Sequence, residues 1–330
     1  MSNNTLNIET KIALFKWTII IVLITLLAMA SASQFFGIGP DFKEYQYLFI
    51  KQGYVRDSVE PAYLILRSIN DLLCPNSVYY IFIISVILSI TLKIKAFKKL
   101  SDTPLVILFY CLIALFFIHE YTQIRAAVSI GIFLNAIPDI IENNKVKFFI
   151  KLIIATLFHY SAIIMIFCWI YVRLFRRNTI YILIPAIGFI LAMSFGSMKE
   201  LAQFIYIVQE FLGLNKSGNV SDFIKPYNLK YLASLFFLFL TYLILPKNQK
   251  KEAVLFRIYS FGLCCFYYIL PAQLPVIAVR LAEYYTPTLF IVYTNCAYSQ
   301  IGYKRYLLFF LLIIFTMLYC YAALKTTYIL

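Results

Sequence analysis

Long apolar runs alternate with short polar breaks along most of this chain, and the breaks are of two kinds. Some are clusters of Lys and Arg; others hold carboxylates, tyrosines and prolines. The first apolar run reaches about residue 36 and is flanked at its start by Lys11 and Lys16. It is longer than a signal-peptide core and lacks a clear cleavage site, so it predicts a retained span with its N-terminus inside. A polar stretch follows, about 37–77, with Asp41, Glu44, Tyr45, Asp57 and Glu60 ahead of Pro61 and the run AYLILRSINDLL. Pro suits the first turn of a helix. The stretch predicts a folded external loop with a helix lying against the membrane.

The next runs predict spans over about 78–92, 105–117 and 124–138, each turning on a polar break. Lys93, Lys95, Lys98 and Lys99 after the first of these mark an inside end, as do Lys145, Lys147 and Lys151 after the third. Residues 148–171 are long enough to cross once. A single crossing would put Arg173, Arg176 and Arg177 outside, against the positive-inside rule. The break FHYS at 158–161 predicts instead a re-entrant hairpin of two arms of roughly 12 residues, each rising about 18 Å. His159 then sits at its apex, at membrane depth, where irregular backbone is tolerated only against protein or a wet cavity. The alternative is one helix with a buried His.

Beyond it, 180–195 leads out to a second external stretch, about 196–230. There the i, i+3, i+4, i+7 pattern of Leu201, Phe204, Ile205, Val208 and Leu212 predicts an interfacial helix. Runs at 231–245, 254–270, 276–298 and 307–323 complete the pattern, with Lys247, Lys250, Lys251, Lys304 and Arg305 at the inside breaks. The fold class is therefore all-α: one polytopic membrane domain over 1–330, about nine transmembrane helices plus the hairpin near His159.

Composition agrees. The chain is 62% hydrophobic and 13% charged, against about 25% charged in soluble domains. Its net charge of +14 lies in clusters between apolar runs, the distribution of cytoplasmic loops and not of a nucleic-acid-binding face. The seven cysteines fall mostly inside apolar runs without metal-type spacing. No GxxxxGK[ST], HExxH or GxSxG motif occurs.

Candidate chemistry gathers at the outer side. The stretch HEYTQIRAAVSIGIFLNA, from His119 to Ala136, places Arg125 about a turn inside a span. A guanidinium there costs about 2.5–3.5 kcal/mol on insertion scales, which points to a wet cavity or an anionic partner. With it stand Tyr121, Gln123, His159 and the first loop's Asp41, Tyr45 and Glu60. Arg280 and Glu283 lie one turn apart on one helix face. Two separated arginines suit a diphosphate, a His or carboxylate suits deprotonation of a hydroxyl, and aromatic rings suit sugars or a polyprenyl chain. Each also has a plainer reading. Arg280 and Glu283 neutralise one another, Arg125 pairs with Glu120 to hold helices together, His159 is a packing residue, Glu60 only starts a helix, and the tyrosines are interfacial anchors.

The segments PDFKEYQYLF, EPAYLILRSIND, YTQIRAAVSIGIF, FHYSAIIMI and VRLAEYY, in this order, resemble the EpsG/Wzy-like polysaccharide polymerases. The resemblance implies a bacterial inner-membrane glycosyltransferase that polymerises undecaprenyl-diphosphate-linked repeat units at the periplasmic face. It assigns Arg125 and Arg280 to the donor's diphosphate, with Gln123, Tyr121, Asp41 and Tyr45 as further substrate contacts. His159, or one of Glu60 and Glu283, handles the acceptor hydroxyl. It requires no cofactor and no metal, and a chain-length regulator is an expected partner beside the lipid-linked substrate and the bilayer. The chain lacks the long arginine-rich periplasmic loop of some O-antigen polymerases. A flippase of lipid-linked oligosaccharide or an O-antigen ligase remain the alternatives.

Overall fold

The apolar runs fold as helices whose ends coincide with the polar breaks. A computed structural model describes residues 18–36, 38–50, 60–75, 77–195, 225–272 and 274–328; the helix expected at 201–212 lies outside these. The helices are α1 (Thr18–Ala32), α2 (Pro40–Ile50), α3 (Pro61–Leu73), α4 (Tyr79–Leu100), α5 (Pro104–His119), α6 (Ile124–Glu142), α7 (Lys145–Phe158), α8 (Met165–Leu174) and α9 (Ile180–Phe195). Beyond residue 224 come α10 (Leu229–Ile244), α11 (Lys250–Ile269), α12 (Pro275–Tyr285), α13 (Pro287–Tyr298) and α14 (Tyr303–Tyr328). No strand occurs among the described residues. Among the described residues, four helices are long and apolar enough to cross a membrane: α4, α6, α11 and residues 303–322 of α14. Five apolar segments there are shorter, so length and composition do not confirm the count of nine full crossings.

Local chemistry fixes the starts. Pro61, Pro104, Pro275 and Pro287 occupy first turns, where the missing N–H costs nothing. Asn144 accepts from Lys147 N–H at 3.1 Å and caps α7, and Asn143 takes the left-handed conformation that closes α6. Between helices, small and polar residues allow close approach. Ser89 Oγ lies 3.0 Å from Ala127 O, and Asn135 Nδ2 donates to Leu92 O (2.8 Å). A Cβ on Gly131 would lie 2.8 Å from Leu92 Cβ. These contacts press α4 against α6.

The segment around His159 folds back on itself. Arg173 in α8 donates to Ile140 O (2.9 Å) and to the Asn143 side chain (3.1 Å), beside the start of α7. Its guanidinium covers Trp169 at 3.9 Å, and Trp169 lies against Phe148. Both ends of residues 145–174 are thus at the same end of α6, with a 3-10 turn, Tyr160–Ile164, at the far end.

Three expectations change. Lys93, counted among loop charges, is buried within α4 and bonded to Glu120, because its long stem carries the ammonium to a carboxylate inside the protein. Pro138 does not end α6: the helix runs on to Glu142 through buried Ile137 and Ile140, so packing overrides the propensity. The run 276–298 is not one helix. It breaks at Thr286, where Pro287 has no N–H to continue the ladder.

Candidate active site

Four side chains from four elements meet at the end of the bundle where α4 and α6 begin. α2 supplies Tyr45. Glu60 stands just before α3 with extended backbone, and makes no capping bond through its side chain, which leaves both oxygens free to reach outward. Arg125 is the second residue of α6, and His159 is the extended residue between α7 and the 3-10 turn.

Glu60 is the hub. Its Oε2 accepts from Arg125 Nη1 at 2.7 Å and its Oε1 lies 3.0 Å from His159 Nδ1. Arg125 Nε also donates to the Tyr45 hydroxyl at 3.3 Å, with the guanidinium 5.3 Å from that ring's centre. Burial pushes the Glu60 carboxyl up, but the His159 hydrogen bond and the Arg125 charge outweigh it and hold the group at about 2. An ionised carboxylate only accepts, so Nδ1 carries a proton and, in the neutral ring, Nε2 keeps its lone pair. Exposure separates the roles: the Glu60 side chain is 4% exposed, His159 19% and Arg125 24%. The carboxylate is the buried backing of two groups that reach the solvent-accessible side. Arg125 Nη2 has no partner among the described residues.

Below this hub sits Tyr63, which the sequence reading did not single out. Its hydroxyl donates to Ile124 O (3.1 Å) and lies 3.3 Å from Ser85 Oγ, and its ring meets Phe158 edge-on. It therefore ties α3 to the residues flanking both Arg125 and His159. The available signal was its place one turn after Glu60 in a Pro-started helix.

The other candidates fall elsewhere. Glu283 is buried and bonded to Lys230, so it is not neutralised by Arg280. Arg280 is exposed on α12 and makes no ion pair among the described residues. Arg125 pairs with Glu60, and Glu120 instead takes Lys93 and Ser89. Tyr121 is fully buried; its hydroxyl accepts from Phe36 N–H at 2.9 Å. Gln123 is half-buried at the N-cap of α6 without a capping bond from its side chain. Asp41 lies on α2 one turn before Tyr45 and acts on it electrostatically.

The profile of the EpsG family matches residues 17–329. The chain belongs to the EpsG family. No curated protein and no solved structure matches it. EpsG is a Wzy-like polymerase family, and membership supports a polysaccharide polymerase in general terms. In this EpsG-family chain the match spans all four elements that build the Glu60 hub, so the cluster belongs to the family's region and not to an appended segment.

Proposed function

We propose that the chain is a membrane glycosyltransferase that polymerises undecaprenyl-diphosphate-linked oligosaccharide repeat units at the periplasmic face of a bacterial inner membrane, with a cytoplasmic N-terminus. The observation that carries this reading is the Glu60 carboxylate joined at once to His159 and Arg125. It sets out a base and an anion ligand side by side, which the transfer needs.

In the proposed step, His159 Nε2 takes the proton of the acceptor sugar's hydroxyl as that oxygen attacks the anomeric carbon of the donor. The bond from this carbon to the lipid diphosphate breaks, and the electron pair leaves with the diphosphate. Glu60 holds the imidazole's orientation and stabilises the imidazolium, a positioning role and not that of the base. Arg125 presents its Nη2 edge to the leaving diphosphate, and Tyr45 fixes the guanidinium plane. With neutral His159, Glu60 and Arg125 sum to zero charge; proton transfer makes the cluster cationic as the anionic leaving group departs. Arg280, exposed and unpaired among the described residues, is available to the second phosphate. Gln123 and Asp41 are left as peripheral contacts, and the fully buried Tyr121 and the paired Glu283 as structural groups. A chain-length regulator is the expected protein partner.

The test is a surface-polysaccharide ladder from cells carrying only Arg125→Ala, Arg125→Lys or His159→Ala, with membrane abundance measured alongside. Collapse to a single repeat unit at parental abundance is expected for Arg125→Ala and His159→Ala. Arg125→Lys keeps charge but loses the fork and is expected to give short chains. Normal ladders from both alanine variants refute the reading, and loss of even the single unit favours a flippase or ligase.

A further inference from the structure

Three helices meet one turn beneath the hub, and hydroxyls make the junction. Ser129 on α6 donates to Ala155 O of α7 at 3.0 Å, and its oxygen lies 2.9 Å from the Tyr284 hydroxyl of α12. A serine has one proton to give, and here it goes to Ala155 O, so the Tyr284 hydroxyl is the donor of the second bond. Ala155 O also accepts from His159 N–H at 2.9 Å, so both its lone pairs are used. Ser129, Ala155 and Tyr284 are buried, and the Tyr284 ring rests on Phe133, one turn further along α6, at 5.7 Å between centres. That ring contact fills space without the hydroxyl. The hydroxyl adds direction.

The directions of the helices give this junction its meaning. Asn295 of α13 bonds Leu100 O at the far end of α4 and Glu252 at the start of α11. So α11 starts away from the hub and α12, after the turn Leu270–Ala272, starts at the hub end. Both α6 and α12 run away from the hub, and α7 runs toward it. A step of four residues, about 6 Å of rise along one face, leads from Ser129 back to Arg125 and from Tyr284 back to Arg280. The same step leads from Ala155 on to His159. One turn above the junction therefore stand the two arginines and the base of the proposed reaction, and Arg280 is exposed there. Packed helices are about 8–10 Å apart, a gap that two arginine side chains can close around one diphosphate.

We infer that Tyr284 is a positioning residue: its hydrogen bond to Ser129 sets α12 in register with α6, so that Arg280 faces Arg125 and the two guanidinium groups hold one polyprenyl-linked diphosphate beside His159. The inference rests on the polymerase reading for the choice of ligand. Tyr284 itself touches neither the diphosphate nor the reacting atoms and acts through Arg280.

Calorimetry on the full chain in lipid nanodiscs, with farnesyl diphosphate and farnesyl monophosphate as probes, tests it beside the turnover of lipid-linked repeat units. The parent should bind the diphosphate more tightly than the monophosphate. Tyr284→Phe, which keeps the ring and removes the hydroxyl, and Arg280→Ala should each weaken diphosphate binding about tenfold. Ser129→Ala, which removes the same bond from the side of α6, should reproduce the loss. The variant Tyr284→Phe/Arg280→Ala should bind no more weakly than Arg280→Ala alone, since a residue acting through Arg280 has nothing left to position; a general loss of packing would instead multiply the two effects. In turnover, Tyr284→Phe should raise KM for the donor and leave kcat nearly unchanged. Parental affinity in Tyr284→Phe, multiplied losses in the double variant, or a parent that does not prefer the diphosphate overturns the assignment. A parent that prefers the diphosphate, with the expected variant pattern, but never extends repeat units refutes the polymerase reading and supports the role of Tyr284. Repeat-unit turnover by Tyr284→Phe at the parental KM refutes that role and leaves the polymerase reading standing.

Discussion

Replacing Glu60 by Gln keeps the side chain's shape and removes its charge, which isolates what the hub does. The carboxyl is held at about 2 against an ordinary 4.5, a preference for the charged form of about 3 kcal/mol. Solvent reaching the partly open Arg125 and His159 screens this to about 1–2 kcal/mol of stability. The effect on chemistry is expected to be larger. Without the carboxylate, Nδ1 loses its fixed proton and the imidazolium loses its counter-charge, so most of a general base's contribution of about 10²–10⁴-fold disappears. Purified protein in nanodiscs, supplied with lipid-linked repeat units and followed by resolving the products as a ladder, gives the rate directly. Glu60→Gln should lower it about a hundredfold or more, with the protein still folded and at parental abundance. A rate within about twofold of the parent would mean that Glu60 only anchors α3, and the hub would lose its mechanistic meaning.

Three further outcomes follow from particular contacts. Glu283→Ala leaves Lys230 as a buried charge without its partner and should cost about 3–5 kcal/mol, read as a lower unfolding midpoint in detergent, whereas Lys230→Met/Glu283→Leu should recover most of it; equal loss in the double variant would give Glu283 a role beyond pairing. Gly131→Ala pushes a methyl group toward Leu92 Cβ, 2.8 Å away, and should destabilise by about 1–3 kcal/mol; an unchanged midpoint would mean that α4 and α6 separate freely. Because the folded pKa of Glu60 is depressed, its stabilising contribution is complete above about pH 4.5 and is lost as pH falls toward about 2. The midpoint gap between parent and Glu60→Gln should therefore close as pH falls from about 4.5 toward about 2, and a gap that widens over that acid range contradicts this.

Much of the hub was legible because charge is conspicuous in an apolar chain. Arg125 stood inside a span, His159 interrupted a run that made no sense as one crossing, and Glu60 preceded a Pro-started helix. Their convergence on one carboxylate was not legible, since no local pattern says which of several outer-side acids an arginine will choose. The same ambiguity hid the partners of Glu120 and Glu283. Lys93 and Lys230 looked like the charges that flank spans, yet long lysine stems carry their ammonium groups inward to buried carboxylates. The helix runs were readable from hydropathy, but hydropathy alone could not find the break at Thr286, and it ended α6 too early at Pro138.

The folded-back segment also constrains how the chain is built during synthesis. Its arms, α7 of 14 residues and α8 of 10, rise only about 21 Å and 15 Å, short of the roughly 30 Å of a hydrocarbon layer. Neither arm is an independent insertion unit, and the broken backbone at His159 has no place in lipid. The groove that receives it comes from α6, whose Ser129 hydroxyl donates to Ala155 O at 3.0 Å. From the other side α11 receives it, where Ser260 lies 2.9 Å from the Tyr171 hydroxyl. α6 precedes the segment and α11 follows it by some 75 residues of chain, 174 to 250. The base of the proposed reaction thus reaches its final setting late, only after the ribosome has delivered the helix that closes behind it, so a chain truncated before α11 carries every residue of the hub and still lacks the support that holds it in place.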